Sequence, residues 1–347
     1  MNAVPAPFDV FRAHGGKVAM ARTLFPGAPQ AWIDLSTGIS PWAWPCETVL
    51  DAAVLRRLPD PEALEALEAA ASRYFGVNGA ARVIALPGTD IGLRLLGPLF
   101  PEAKVAVVRP GYSGHVSAWV EWRDACARPV KRIRDADLPD AAREHDVLVL
   151  ANPGTPDGRI IGRERLLEIA RLLASRGATL IVDEAYVDAE PTLSLCNEPS
   201  DALILFRSFG KFFGLPGLRL GFVVVPAEQV RRFRHAIGDW PLNGPAIQVG
   251  TAAYLDTRWQ QMQRERVKRA AARLDEMLRR AGLTIEGGTP LFRLARCANA
   301  DALFRHLASH AILTRPFADD GGLLRVGLPG DEAQWHRLAA ALETTPS

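Results

Sequence analysis

Residues Arg207–Phe222 read RSFGKFFGLPGLRLGF. The apolar run DALILF precedes this stretch and has the composition of a buried strand. Lys211 follows that run among phenylalanines and glycines, and Arg219 opens the next apolar run, RLGFVVV. Lysine is normally solvated and central strands seldom carry charge, so both cations call for a partner.

Upstream runs repeat the pattern. RVIALPG (from Arg82), KVAVVRPG (from Lys104), DVLVLANPG (from Asp146) and ATLIVDEAY (from Ala178) are short, β-rich and without apolar/polar alternation. Helical patterns such as RERLLEIARLLASRG (Arg163–Gly177) lie between several of them. Strands of this kind are buried on both faces, which predicts an α/β fold with a mostly parallel sheet covered by helices. Asp60 and Pro61 read as the N-cap and first residue of a helix ending at Gly76. The amphipathic stretch from Thr257 to Gly282 reads as one long helix, and LFRLAR, ADALFRHLASH, AILTRPF, LLRVGLP and a final helix from Asp331 then suit a smaller α+β domain. The expected division is an N-terminal arm with a small-domain segment (1–45), a large domain (46–255) and a small C-terminal domain (256–347).

Composition narrows the function. Forty-one basic residues against 39 acidic ones give a net charge of +2, which provides no electrostatic case for nucleic acid. No apolar run reaches the length of a membrane span, and the first residues lack a secretory pattern, so a cytoplasmic location is expected. Cys46, Cys126, Cys196 and Cys297 are scattered and read as free thiols, and the seven histidines show no zinc spacing.

Polar residues fall at the C-terminal ends of the predicted strands: Asn152, Asp183, and Ser208 with Lys211. That edge is where open α/β sheets bind ligands. A lysine among apolar groups can supply a neutral amine for a Schiff base. Asp183 suits a protonated pyridine nitrogen, because a buried carboxylate needs a cation or hydrogen-bond donors. Asn152 and Tyr186 can donate to a phenolate-type oxygen. Ser208, Arg219 and the amides of PGTDIG (Pro87–Gly92, including Gly88, Thr89 and Asp90) can hold a phosphate if Thr89-Asp90 opens a helix. Alone, N-P-G-T-P is a turn and D-E-A-Y a strand end. Together they describe a site for pyridoxal 5′-phosphate (PLP).

ANPGTPDG, IVDEAYVD, RSFGKFFGLPGLRLGF and LLRVGLP resemble fold-type I PLP enzymes, in the aminotransferase branch near histidinol-phosphate aminotransferase. The resemblance implies that Lys211 is the Schiff-base lysine, that Asp183 pairs with the pyridine nitrogen, and that Asn152 and Tyr186 bond the ring hydroxyl. It further implies that Tyr112 stacks on the ring, that Gly88, Thr89, Asp90, Ser208 and Arg219 hold the phosphate, and that Arg325 takes the substrate carboxylate.

The segment AHGGKVAMARTLFPGAPQAWIDLSTGISPWAWP (from Ala13) resembles the start of the L-threonine-O-3-phosphate decarboxylase family, through His14, Gly15, Gly16, Asp34, Leu35, Ser36, Ile39, Ser40 and Pro41. This implies an arm in which His14, Gly15 and Gly16, with Arg315, contact a substrate phosphate. The chain departs from its relatives at Leu58, where many carry a tyrosine that reaches the neighbouring subunit's cofactor phosphate. It departs also at Lys17, Gly38 and Ser40, where asparagine is common. The expected reaction is PLP-dependent decarboxylation of L-threonine O-3-phosphate to (R)-1-amino-2-propanol O-2-phosphate and CO2 in cobalamin biosynthesis, by a homodimer acting on a small phosphorylated amino acid. The alternatives are a histidinol-phosphate-type aminotransferase and a non-catalytic PLP-fold protein.

Overall fold

A computed structural model of the chain describes residues 8–29, 31–78, 81–123, 129–198 and 200–344; Cys126 lies outside these residues. They form two compact units. The sheet unit comprises Ala43–Thr155 and Arg159–Met262; the arm unit comprises Met1–Trp42, Pro156–Gly158 and Gln263–Ser347.

The sheet unit is built on seven strands: β1 (Arg82–Leu86), β2 (Val105–Val108), β3 (Lys131–Ile133), β4 (Val147–Ala151), β5 (Thr179–Asp183), β6 (Leu203–Ser208) and β7 (Gly221–Val225). Their order is β1-β7-β6-β5-β4-β2-β3. Strands β3, β2, β4, β5 and β6 pair in parallel, and β7 runs antiparallel to both β6 and β1. The mostly parallel sheet expected from the apolar runs is present, with one reversed strand. Alternate residues enter two separate cores. Ala85, Val108, Leu148, Leu180, Leu205 and Val224 face one of them, and Ile84, Val107, Val149, Ile181, Phe206 and Val223 face the other. Both faces are therefore buried, which is why no strand shows polar alternation. Helix Thr89–Leu99 packs so closely on the sheet that a Cβ on Gly92 would come within 2.6 Å of the Phe206 ring.

Arg219 is not part of a strand, although RLGFVVV reads as one. It caps the turn Pro216–Leu218 with φ +52°, and β7 starts two residues later. Helix Pro61–Phe75 carries the expected Asp60 N-cap and Pro61, and ends on left-handed Gly76.

The arm unit holds a four-stranded antiparallel sheet in the order Arg315–Pro316, Leu323–Gly327, Phe292–Arg296, Thr284–Thr289. A parallel pair, Ile33–Asp34 with Ile312–Leu313, joins the N-terminal segment to it. Helices Ala300–Ser309 and Glu332–Glu343 carry side-chain caps from Asn299 and Asp331. The long helix is continuous over Thr257–Arg280, and the division between units falls inside it, after Met262. Residues 156–158 count with the arm unit because they lie flat on the hairpin: a Cβ on Gly287 would come 2.1 Å from the Asp157 carbonyl oxygen.

Candidate active site

Three parallel strands deliver polar residues to one edge of the sheet unit. β5 ends in Asp183, whose carboxylate is buried. The Ala185 N–H donates to its Oδ1 at 3.0 Å, and His115 Nε2 lies 3.0 Å from its Oδ2. Burial pushes this carboxyl up. The hydrogen bond and charge of His115, the charge of Lys211 and the Ala185 amide outweigh that and hold it below the ordinary carboxylate range. The group is thus poised as an anion facing a cation.

His115 was not singled out in the sequence. It lies in the first turn of helix Ser113–Arg123, its side chain is wholly buried, and its ring meets that of Tyr112 edge-on at 5.5 Å. The signal available was its place three residues after Tyr112 in RPGYSGH, a turn closed by the His115 N–H donating to the Tyr112 carbonyl at 3.1 Å.

Lys211 sits in the short helix Phe209–Phe212 immediately after β6. Its Nζ donates to Ser208 Oγ at 3.1 Å and lies 5.2 Å from the Tyr186 ring centroid. Asn152, just past β4, is buried. Its Oδ1 accepts the Ile161 N–H at 2.8 Å and its Nδ2 donates to the Ile161 carbonyl at 3.2 Å. These two bonds fix the amide plane, and an amide nitrogen carries a second N–H to give.

Gly88, with φ +91°, is the N-cap of helix Thr89–Leu99, and no side chain caps that helix end. The first-turn amides and the helix dipole make an anion site there. A Cβ on Gly88 would come 2.8 Å from Arg219 Nη2, and one on Gly221 would come 2.7 Å from the Thr89 nitrogen. Both glycines therefore keep the guanidinium and the amides close together. The Asp90 carboxylate is turned to Arg94 and to the Tyr112 hydroxyl, which donates to it at 3.1 Å. Burial and then the Asp90 charge push the Tyr112 phenol up to about 12. The residues singled out for the cofactor thus fall in one unit, around an amine, a buried carboxylate and an uncapped helix end beside an arginine. That donor set fits the aldehyde, the pyridine nitrogen and the phosphate of PLP.

All five residues named for substrate lie in the arm unit, and three of them, Gly15, Gly16 and Arg325, meet Ser36. The Gly16 N–H donates to Ser36 Oγ at 2.8 Å, the Ser36 hydroxyl donates to Asp34 Oδ1 at 2.5 Å, and Arg325 Nη2 donates to the Ser36 carbonyl at 2.8 Å. Arg315 Nη2 donates to the Ala13 carbonyl at 2.9 Å. A Cβ on Gly15 would come 2.4 Å from the Ser36 carbonyl oxygen, so only glycine passes there. His14 is exposed at the end of helix Asp9–Ala13. The Gly16 amide is thus engaged within the arm, and Ser36 and Asp34, known from the sequence only as motif positions, hold it. Leu58, in the sheet unit, is exposed and lines an apolar cavity of about 440 Å³ with Val54, Ala63, Ile247 and Leu255.

The chain is similar to known proteins along nearly its whole length. Residues 33–342 match the family described as aminotransferase class I and II. A threonine-phosphate decarboxylase of Pseudomonas aeruginosa is 39% identical over 332 residues, covering 95% of this chain and 96% of that protein. A threonine-phosphate decarboxylase of a Sinorhizobium species is 39% identical over 341 residues, covering 95% and 97%. Among solved structures, the histidinol-phosphate aminotransferase of Clostridium acetobutylicum superposes with a TM-score of 0.80 at 20% identity, covering 89% of this chain and 97% of that one. The L-threonine-O-3-phosphate decarboxylase of Porphyromonas gingivalis gives 0.76 at 21% identity, covering 89% and 98%. These structures share the fold, as does the histidinol-phosphate aminotransferase of Sinorhizobium meliloti, solved in complex with pyridoxal-5′-phosphate (TM-score 0.77 at 20% identity, covering 99% of this chain and 97% of that one). With a match that runs from the N-terminal strand to the last helix, and a site whose donors fit that cofactor, the chain belongs to the aminotransferase class I and II family.

Proposed function

We propose that the chain is a PLP-dependent decarboxylase of L-threonine O-3-phosphate, releasing CO2 and (R)-1-amino-2-propanol O-2-phosphate for cobalamin biosynthesis in the cytoplasm. The observation that carries this reading is 39% identity, over 95% of the chain, to relatives named for that activity. The arm built on Ser36 supports it, because a small substrate with a carboxylate and a phosphate needs two separate anion-binding groups.

In this reading Lys211 forms the covalent link to the cofactor and Asp183 keeps the proton on its ring nitrogen. Asn152 and Tyr186 donate to the ring hydroxyl, and Tyr112 packs on the ring. Ser208, Arg219 and the amides following Gly88 hold the cofactor phosphate. Arg325 pairs with the substrate carboxylate, and His14, Gly15, Gly16 and Arg315 make the surroundings of its phosphate. PLP, when bound, supplies an electron sink for whichever Cα bond stands perpendicular to its ring. The choice of bond therefore falls to the anchors: Arg325 and the arm fix rotation about N–Cα so that the carboxylate, not Cα–H, takes that position. Cα would then take up a proton, for which Lys211 and water are the candidate donors. We further propose a homodimer, with the apolar surface around Leu58 and Leu255 part of its contact.

The test is CO2 release from L-threonine O-3-phosphate by the purified holoenzyme, without added keto acid. Stoichiometric CO2 and amine phosphate are expected. Turnover that depends on a keto acid and releases no CO2 would instead identify an aminotransferase. Light scattering of the eluted holoenzyme checks the dimer, for which twice the 37.7 kDa chain mass is expected.

A further inference from the structure

Beneath the cofactor residues lies a second set of charges that the proposed chemistry does not use. Arg207, Glu184 and Asp188 are all buried, with 2% or less of each exposed. Arg207 Nη2 pairs with Asp188 Oδ1. Its Nη1 lies 3.3 Å from Ser194 Oγ, 3.4 Å from Cys196 Sγ and 3.6 Å from Glu184 Oε2, and its Cζ stands 4.1 Å from the Phe75 ring centroid. Glu184 accepts the Ser194 hydroxyl at 2.6 Å and the Leu195 N–H at 2.7 Å.

The positions of these residues in the chain are informative. Glu184 follows Asp183, Asp188 comes two residues after Tyr186, and Arg207 precedes Ser208. Side chains alternate across a strand, so where β5 and β6 end one residue of each pair serves the cofactor and its neighbour joins the lattice. The same two strand ends are tied through the backbone, the Glu184 N–H donating to the Phe206 carbonyl at 2.9 Å. Stability does not explain such a lattice. Desolvating three charged groups costs much of what their attraction returns, and well-packed apolar residues would hold the strands as firmly. A lattice of directed bonds does supply a fixed distance between segments that apolar packing would leave adjustable.

We propose that Arg207, with Asp188 and Glu184, is a positioning residue for the cofactor: it sets the spacing between the strand end carrying Asp183 and Tyr186 and the one carrying Ser208 and Lys211. The proposal rests on PLP as the cofactor and not on which reaction follows, so a failed CO2 assay leaves it standing and open to its own test.

That test compares the parent with Arg207→Met/Asp188→Leu, which replaces the ion pair by apolar side chains, and with Arg207→Lys, which keeps the charge and loses the planar fork. Each holoenzyme is stripped of PLP. The unfolding midpoint of the apoprotein, the PLP dissociation constant and the pH titration of the bound-cofactor absorbance are then measured at a temperature where the protein is folded. The double variant's apo midpoint should fall, because Glu184 stays buried without its cation, and its PLP dissociation constant should rise about tenfold or more, the cost of misplacing aligned groups by a fraction of an ångström. The absorbance titration should shift, because Asp183 no longer sits squarely at the ring nitrogen. Arg207→Lys should show the same two changes at smaller size. Parent-like PLP affinity and an unshifted titration in the variants that fold, whatever happens to the midpoint, would reduce the lattice to a structural role and overturn the proposal. If the double variant does not fold, Arg207→Lys decides on the same two readouts.

Discussion

At the scale of single residues, the site turns on a carboxylate that must stay ionised while buried. Burial opposes that state, and the His115 hydrogen bond, with help from Lys211 and the Ala185 amide, restores it. A depressed carboxyl contributes stability that is present above its unfolded value, about 3.9, and is lost as pH falls through the lower folded value. Bound PLP should therefore be retained through the ordinary carboxylate range and released only below it, which the absorbance of the holoenzyme against pH will check. His115→Phe removes the hydrogen bond and the charge together, and should move that acid limit upward. His115→Gln keeps a donor and should move it less. Lys211→Ala should lower kcat by about 10²–10⁴-fold if its amine is the proton donor to Cα, and the bound-cofactor absorbance band should vanish. Lys211 and Asp183 were legible in the sequence because each interrupts or ends an apolar run, where a charge needs a reason. His115 was not: its one local cue is the neighbouring Tyr112, and only the fold brings it to within 3.0 Å of Asp183.

At the scale of elements, the proposed phosphate cradle sets backbone amides beside the Arg219 side chain, so the glycines between them shape it. Gly88→Ala forces a side chain onto φ +91° and toward the Arg219 guanidinium. The strain is about 1–3 kcal/mol, and PLP affinity should fall about tenfold while kcat at saturating cofactor changes less; titration of the apoprotein with PLP measures it. Gly15→Ala should act in the other unit. Its Cβ would strike the Ser36 carbonyl, so the arm must lift, raising KM for the phosphorylated substrate and leaving PLP affinity unchanged. Steady-state kinetics beside a PLP titration separates the two effects. The strands themselves were legible from their unbroken apolar runs. The left-handed turn at Arg219 was not, because the apolar residues that follow make the arginine look like the first residue of the strand. The hub at Ser36 was visible only as a motif position, since its partners Gly16 and Arg325 lie 20 and 289 residues away.

At the scale of the whole molecule, there are two units with their own sheets: one holds the groups that fit the cofactor, and in the other Ser36 bonds Gly16 and Arg325 while Arg315 bonds the Ala13 carbonyl. A ligand that binds only the folded state stabilises it by mass action, so PLP at a hundred times its dissociation constant should add about 2.7 kcal/mol. The unfolding midpoint of the apoprotein should accordingly lie several degrees below that of the holoenzyme, as calorimetry will show. The change of pattern at the long helix led to an expected boundary at 255/256, whereas the contact division falls after Met262, inside the helix, where an unbroken helical pattern carries no mark of it; residues 156–158 were not legible either, because nothing local distinguishes them from the loop in which they lie. The reversed direction of β7 has a consequence for how the gene can vary. Gly221 pairs opposite Ser208, and the twelve residues between them bring Arg219 back to the edge that carries Lys211. Helix Phe209–Phe212 and the turn Pro216–Leu218 occupy more than half of that connection, which leaves little slack to absorb a change of length. One codon inserted between Lys211 and Arg219 would slide β7 by a residue and swap its faces between the two cores, so this segment should tolerate substitution far better than insertion or deletion.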